Sequence, residues 1–346
     1  MAFRSNISYR TEHWPFRRPF HIAGHTLHGI DVIVVEVESN GVVGRGEAAG
    51  VYYRGETADG MAKQVESTIR GVGSLDKREL TAALPAGGAR NALDCALWEL
   101  ESKLAGQPVW RLARLPHVRP LLTTYTIGAD NPNVMAQAAA DFVEARAFKL
   151  KLLGDEADAK RVLAVRAARP DVWMGVDANQ ALTPTIFHAL LPTLVSADVK
   201  LIEQPFPSDR DAELDGIESP IPLAADESVQ DLHDIEGLRG RFHVINIKLD
   251  KSGGLTEALA MATKARRLGF KLMVGNMTGT SLSTAPGFVL GQICDFVDLD
   301  GPLFLARDRI PSVVYSEGYL RCPDNVWGVA HGKIASLDGE AEHAHS

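Results

Sequence analysis

The 346-residue chain predicts an α/β protein, a (β/α)8 barrel carrying an α+β domain in front of it. Two observations carry that prediction. From residue 120 onward, short apolar β-rich runs recur at even spacing, separated by stretches rich in Ala, Leu, Arg and Glu with helical periodicity. Strand, helix, strand at such an interval marks parallel βα units, and eight of them close a barrel. Before residue 118 the alternation is absent. A composition of 45% hydrophobic and 23% charged residues is ordinary for a globular chain, and the length suits one large α/β unit with an appended domain.

The elements follow in order. Residues 1–118 are expected to form the α+β domain: IDVIVVEVESNGVVGRGEA reads as two strands joined by an Asn-Gly turn, and ARNALDCALWELESKLAG as a helix. The glycines of GRGEAAG lack the G-x-G-x-x-G spacing of a dinucleotide site. Residues 119–310 are assigned to the barrel, with strands at LLTTYTIG, FKLKLL, VWMGVD, VKLIEQP, IPLAADES, HVINIKL, KLMVGN and DFVDLDGP. EADAKRVLAVRAARP and GLTEALAMATKARRLG are two of the helices between them. Residues 311–346, with SVVYSEGYLRCP, read as strand and turn returning to the first domain.

A formal net charge of −8 argues against nucleic acid or an anionic membrane as partner and fits a small polar substrate. Cys95, Cys294 and Cys322 are far apart and odd in number, so they form neither a zinc cluster nor a disulfide framework. With no signal-peptide core and no run approaching membrane-spanning length, a cytoplasmic location is expected. The histidines show no metal-helix spacing, and the EHAHS tail is expected to be a disordered end. A homo-oligomer is expected.

The placement of charge is the informative feature. In FKLKLLG, Lys149 and Lys151 are two apart, so in a strand they share a face while Leu150 and Leu152 take the other. An isolated K-x-K reads as protection of a sheet edge. Here, however, each of strands two to six ends in charge: Lys149 and Lys151, Asp177, Glu203, Asp226, Lys248. Successive separations from Lys151 are 26, 26, 23 and 22 residues, one barrel unit each, so all are predicted at the carboxyl-terminal mouth. Strands two and six lie opposite each other, which sets Lys151 across from Lys248 with the carboxylates along the wall between. Strand eight adds Asp298 and Asp300. Three carboxylates without His or Cys make a hard oxygen site suited to Mg2+. A divalent ion favours a carboxylate substrate, whose α-proton it acidifies, and a lysine on each face removes the proton from one side and returns one from the other. Lys149 is expected to lower the pKa of its neighbour or to bind the substrate carboxylate.

These residues resemble the enolase superfamily, its muconate-lactonizing-enzyme subgroup, and within that the dipeptide epimerases of Ala-Glu epimerase type. The resemblance spans ARNALDCALWEL, FKLKLLG, VDANQAL, LIEQP, ADES, NIKLDKSGG and DLDGP, nearly the whole chain. It implies a barrel whose last unit is modified, with an N-terminal capping domain completed by the C-terminal segment. It implies Lys151 and Lys248 as the acid/base pair, Lys248 matching the family position rather than Lys251, and Asp177, Glu203 and Asp226 as Mg2+ ligands. The reaction implied is 1,1-proton transfer via an enediolate, with Asp298 and Asp300 holding the free α-ammonium group of a dipeptide. Specificity would come from the capping segments FRRPFHIAGH and AGVYYRGET, where Arg17, Arg18 and Arg54 are candidate partners for an acidic side chain. The glutamate of the Ala-Glu-type pattern after strand seven is absent from GNMTGTSL. Alternatives are racemisation of an N-acyl amino acid such as N-acyl-glutamate, o-succinylbenzoate synthesis, or a non-catalytic binding protein on a retained barrel.

Overall fold

The computed structural model describes residues 6–22, 25–71 and 76–329. The EHAHS tail lies outside them. At the N-terminus β1 (Asn6–Ile22) pairs antiparallel with β2 (His25–Ser39), which pairs with β3 (Val42–Ala48). The expected Asn-Gly turn joins β2 to β3: Asn40 and Gly41 have φ of 53° and 75°, the left-handed region such a two-residue turn requires. FRRPFHIAGH, read above as a capping segment, is largely the end of β1, and the β1–β2 register slips between Pro15 and Phe20.

Helices α1 (Ala58–Gly71), α2 (Lys77–Ala83), α3 (Gly88–Ala105) and the short α4 (Val109–Leu112) follow. α3 is buried on nearly every side because it lies between the N-terminal sheet and the barrel. The glycines of GRGEAAG explain its fit: a Cβ at Gly44 would stand 2.1 Å from the Ala96 carbonyl oxygen, and one at Gly46 2.0 Å from that of Ala92. Only glycine lets β3 approach the helix backbone so closely.

After β4 (Leu121–Leu122) come eight parallel strands: β5 (Tyr125–Ile127), β6 (Ala147–Lys151), β7 (Trp173–Asp177), β8 (Leu201–Glu203), β9 (Leu223–Ala225), β10 (Val244–Lys248), β11 (Lys271–Gly275) and β12 (Phe296–Val297). Their order in the sheet is their order in the chain, and Thr124 N donates to Val297 O at 3.0 Å to bring its two edges together. Helices α5 (Pro132–Asp141), α6 (Asp158–Ala168) and α7 (Pro184–Ser196) connect the early strands. Asn131 and Thr183 cap α5 and α7, each followed by proline at the first helical position, where its missing N–H costs nothing.

Two connections depart from the regular unit. After β8 and β9 the chain makes 3-10 turns, Ser208–Leu214 and Asp234–Leu238, in place of α-helices. The first carries Ser208, Asp209 and Asp211 and the second Asp234 and Gly237, residue types that favour turns over helix interiors. β10 runs into α8 (Leu249–Ser252) and then α9 (Leu255–Arg267); α10 (Ser281–Gly291) follows β11, and β12 is followed only by the single turn α11 (Gly301–Phe304).

β13 (Val314–Ser316) and β14 (Tyr319–Arg321) form a hairpin that pairs with β4, not with the N-terminal sheet. The return to the N-terminal domain is made further on, where Trp327 Nε1 donates to Arg45 O at 3.0 Å and Arg45 Nη2 to Val326 O at 2.9 Å. No helix among the described residues is long and apolar enough to cross a membrane.

Candidate active site

All five residues of β6 are buried, so FKLKLLG is a central strand rather than a protected edge. Its alternation sets Phe148, Leu150 and Leu152 into the core, while Lys149 and Lys151 line a cavity at the carboxyl-terminal mouth. The cross-strand register places Lys151 beside Asp177 and Asp177 beside Glu203; Asp226 directly follows β9 and Lys248 closes β10. Lys151, Lys248, Asp226, Asp298 and Asp300 open onto the same cavity as Lys149.

Each ammonium has an anionic partner. Lys151 Nζ donates to Asp177 Oδ2 at 2.6 Å and to Asn179 Oδ1 at 2.9 Å. Lys248 Nζ donates to Asp226 Oδ2 at 2.6 Å. Lys251, fully buried, holds the other face of Asp226, donating to Oδ1 at 2.6 Å and to the Asn246 carbonyl at 3.1 Å, which makes it a support of the carboxylate. Lys149, beside Lys151, is itself paired: its ammonium meets Asp298 and lies 3.4 Å from Glu203 and 3.6 Å from Asp177. Burial opposes its charge, but these three carboxylates hold Lys149 well above the usual lysine range.

The carboxylates divide in the same way. Burial raises Asp177, but Lys151 and Lys149 more than offset it and hold the group below the usual range; Asp226 is likewise lowered against burial by Lys248 and Lys251. Glu203 is pushed up to about 8 by burial and then by the charge of Asp177. Its Oε1 accepts from Asn246 Nδ2 at 2.7 Å, while its buried Oε2 has no hydrogen-bond partner. Glu227 is raised to about 7 by burial and by Asp226. Six buried carboxylates, Asp177, Glu203, Asp226, Glu227, Asp298 and Asp300, thus face four buried ammonium groups, Lys149, Lys151, Lys248 and Lys251. The formal balance leaves two negative charges in excess, and burial raises Glu203, Glu227 and Asp300 among the six. Hard oxygen donors, a buried Glu203 oxygen that makes no hydrogen bond and has the Lys149 ammonium 3.4 Å away, and an excess of two negative charges fit a divalent cation. Among the described residues no three acidic, His or Cys side chains converge as a ready cage, since their oxygens turn to the lysines.

Asp298 and Asp300 share the cavity but differ in their partners. Besides Lys149, Asp298 accepts from Thr124 Oγ1 at 2.5 Å. Asp300 accepts the Thr126 N–H at 2.7 Å and is raised to about 6 by burial and by the charge of Asp298. Arg17, Arg18 and Arg54 are not among the residues that line this cavity. Arg54 is exposed and reaches Gln230 Oε1 at 3.5 Å, because the turn that carries it aims Tyr52 and Tyr53 into the cavity instead. Arg17 and Arg18, also exposed, line a neighbouring cavity with Asp130 and Asp141, and Arg17 Nε donates to Leu305 O at 2.7 Å.

Asn179, Asn246, Tyr52, Tyr53 and Thr126 were not singled out from the sequence. Asn246 had a signal, an amide inside the otherwise apolar strand VINIK. Asn179, Gln180, Gln204 and Thr278 all have positive φ at strand ends around the mouth. Such strained backbone in non-glycine residues concentrates at functional sites. Gln204 uses it to cap the turn after β9, its Oε1 accepting the N–H groups of Asp226 at 2.9 Å and Ser228 at 3.1 Å.

A mouth of buried lysines and carboxylates on an eight-stranded parallel sheet, under an α+β domain, is the architecture of a barrel enzyme. The chain belongs to the enolase superfamily: residues 134–326 match the family described as enolase C-terminal domain-like, and residues 4–113 match the mandelate racemase / muconate lactonizing enzyme N-terminal domain. It is 38% identical to the L-Ala-D/L-Glu epimerase of Escherichia coli over 311 residues, 89% of this chain and 97% of that protein. It is 39% identical to an N-acetyl-D-glutamate racemase of a Pseudoalteromonas species over 259 residues, 74% of this chain and 81% of that one. Among solved structures it resembles the dipeptide epimerase of Enterococcus faecalis complexed with Mg and L-Leu-L-Tyr, with a TM-score of 0.86, 29% identity and coverage of 96% of this chain and 99% of that one.

Proposed function

We propose that the protein is a dipeptide epimerase that inverts the α-carbon next to the substrate's free carboxylate. The observation that carries this reading is the meeting of Lys151, from β6, and Lys248, from β10, in one cavity with Asp298 and Asp300. One lysine, as the free amine, takes the α-proton; the other, as ammonium, delivers a proton to the opposite face, so the carbon inverts and the substrate keeps its atoms. Each must first leave its aspartate, since in the ion pair Asp226 holds the Lys248 ammonium in its charged form. Asp177, Glu203 and Asp226 would hold Mg2+, as the residues' oxygens and charge balance allow. Bound there, the ion would draw electron density from the substrate carboxylate and make the α-proton more acidic. Asp300, held by the Thr126 N–H at its Oδ2, takes the substrate's α-ammonium, and Asp298 fixes Lys149 beside it.

Racemisation of an N-acylated amino acid is the second reading, supported by the similarity to the N-acetyl-D-glutamate racemase. It leaves Asp300 without a cation. The two are separated by incubating the protein with Mg2+ in D2O with free dipeptides and, in parallel, N-acetyl amino acids. Uptake of one deuteron with interconversion of dipeptide diastereomers supports epimerisation; uptake confined to the N-acetyl compounds would transfer the assignment to the racemase.

A further inference from the structure

The part of the cavity contributed by the N-terminal domain carries no charge among the described residues: Phe16, Leu27, Ile30, Tyr52 and Tyr53 face the barrel's Met277 across it. The tyrosines stand at the carboxylate end, feeling the charges of Lys248 and Asp226, and their rings meet edge to face with centroids 5.3 Å apart. This wall is held in place. Asp250, two residues beyond Lys248, accepts the N–H groups of Ala49 and Gly50 at 3.0 Å each, Glu56 accepts that of Val51 at 2.7 Å, and Gln230 Nε2 donates to the Tyr53 hydroxyl at 3.1 Å. The turn bearing the tyrosines is therefore tied to the strand bearing Lys248.

Among the described residues, the Lys and Arg side chains that could receive an acidic substrate side chain are elsewhere. Arg54 points to the surface, Arg17 and Arg18 line the adjoining cavity, and the four buried lysines are paired with carboxylates. The sequence from 19 to 30, PFHIAGHTLHGI, has no Lys or Arg, its basic side chains being the imidazoles of His21, His25 and His28, and GNMTGTSL after β11 has no basic residue.

We propose that the residue being inverted carries an aliphatic or aromatic side chain, seated against Leu27, Ile30, Tyr52 and Tyr53, and that dipeptides ending in an acidic residue are poor substrates. This rests on the epimerase reading and narrows it. An apolar wall stabilises an apolar side chain by burying it, while a carboxylate placed there loses its water without gaining a partner.

The test compares kcat/KM for L-Ala-L-Leu, L-Ala-L-Phe and L-Ala-L-Glu, read as α-deuteron uptake in D2O, in the wild-type protein and in Ile30→Arg and Leu27→Arg, each first checked for native circular dichroism. The apolar dipeptides should exceed L-Ala-L-Glu by about tenfold or more, and either arginine should shift that ratio toward L-Ala-L-Glu by a similar factor. L-Ala-L-Glu turned over as well as the others by the wild type would overturn this inference and leave epimerisation standing. No exchange with any dipeptide would overturn both.

Discussion

At the residue scale the two aspartates of the D-x-D motif have separable tasks. Asp298 is consumed by Lys149 and Thr124, so Asp298→Asn removes the partner of a buried ammonium and should depress turnover of free and N-acetylated dipeptides alike. Asp300→Asn removes a carboxylate whose charge is already disfavoured by burial and by Asp298, and which a substrate ammonium would stabilise. It should raise KM for free dipeptides by about tenfold to a hundredfold with a smaller effect on N-acetylated ones, measured by steady-state kinetics on both series. Equal effects would show that Asp300 does not hold the amine. The identity of these residues was legible because an apolar strand gives no reason for charge at its end. Their pairing was not: whether Lys149 meets Asp298 or serves Lys151 depends on the closure of β5 against β12, across 149 positions of sequence.

At the element scale, α3 links the sheet to the barrel. Asp94 accepts from Thr256 N at 2.9 Å and meets its hydroxyl, so a helix of one domain caps α9 of the other. Burial raises Asp94 to about 6 from an ordinary value of 3.8. The folded state then binds this proton more tightly than the unfolded one, so the contribution to stability is present below pH 3.8 and is lost as pH rises toward 6. Asp94→Asn keeps a group able to pair with Thr256 and removes that titration. Denaturant melts should show wild type losing up to about 3 kcal/mol relative to Asp94→Asn between those pH values, and a constant difference would contradict the account. Gly46→Ala, by contrast, drives a methyl group into Ala92 and should cost about 1–3 kcal/mol at every pH, read from the same melts. The helix itself was readable from ARNALDCALWELESKLAG. The need for glycine at 44 and 46 was not, because close approach of β3 to α3 is a property of two elements, and sequence periodicity describes one at a time. The same holds for Arg18 and Arg54, whose directions follow from a register slip and a turn rather than from the residues themselves.

At the scale of the whole molecule the eight-strand reading rested on periodicity, and all eight runs form the parallel sheet. The two 3-10 connections and the pairing of the C-terminal hairpin with β4 escaped it, since composition marks a segment as turn or strand without saying which edge it joins. Charge balance is a property of the assembled mouth, where strands far apart in sequence leave two negative charges in excess. Mg2+ should therefore raise the melting temperature by a few degrees at saturation, and Asp226→Asn should lose most of that shift, measured by calorimetry with and without chelation. The central claim is that Lys151 and Lys248 serve opposite faces of one α-carbon. It is tested most directly by following α-proton exchange in D2O by NMR for each substrate diastereomer separately in Lys151→Ala and Lys248→Ala. Both variants should lose epimerisation, and each should retain slow exchange of only one diastereomer, with opposite preferences. Interconversion near the wild-type rate in Lys248→Ala would contradict the two-lysine account and leave an enzyme that works with a single base.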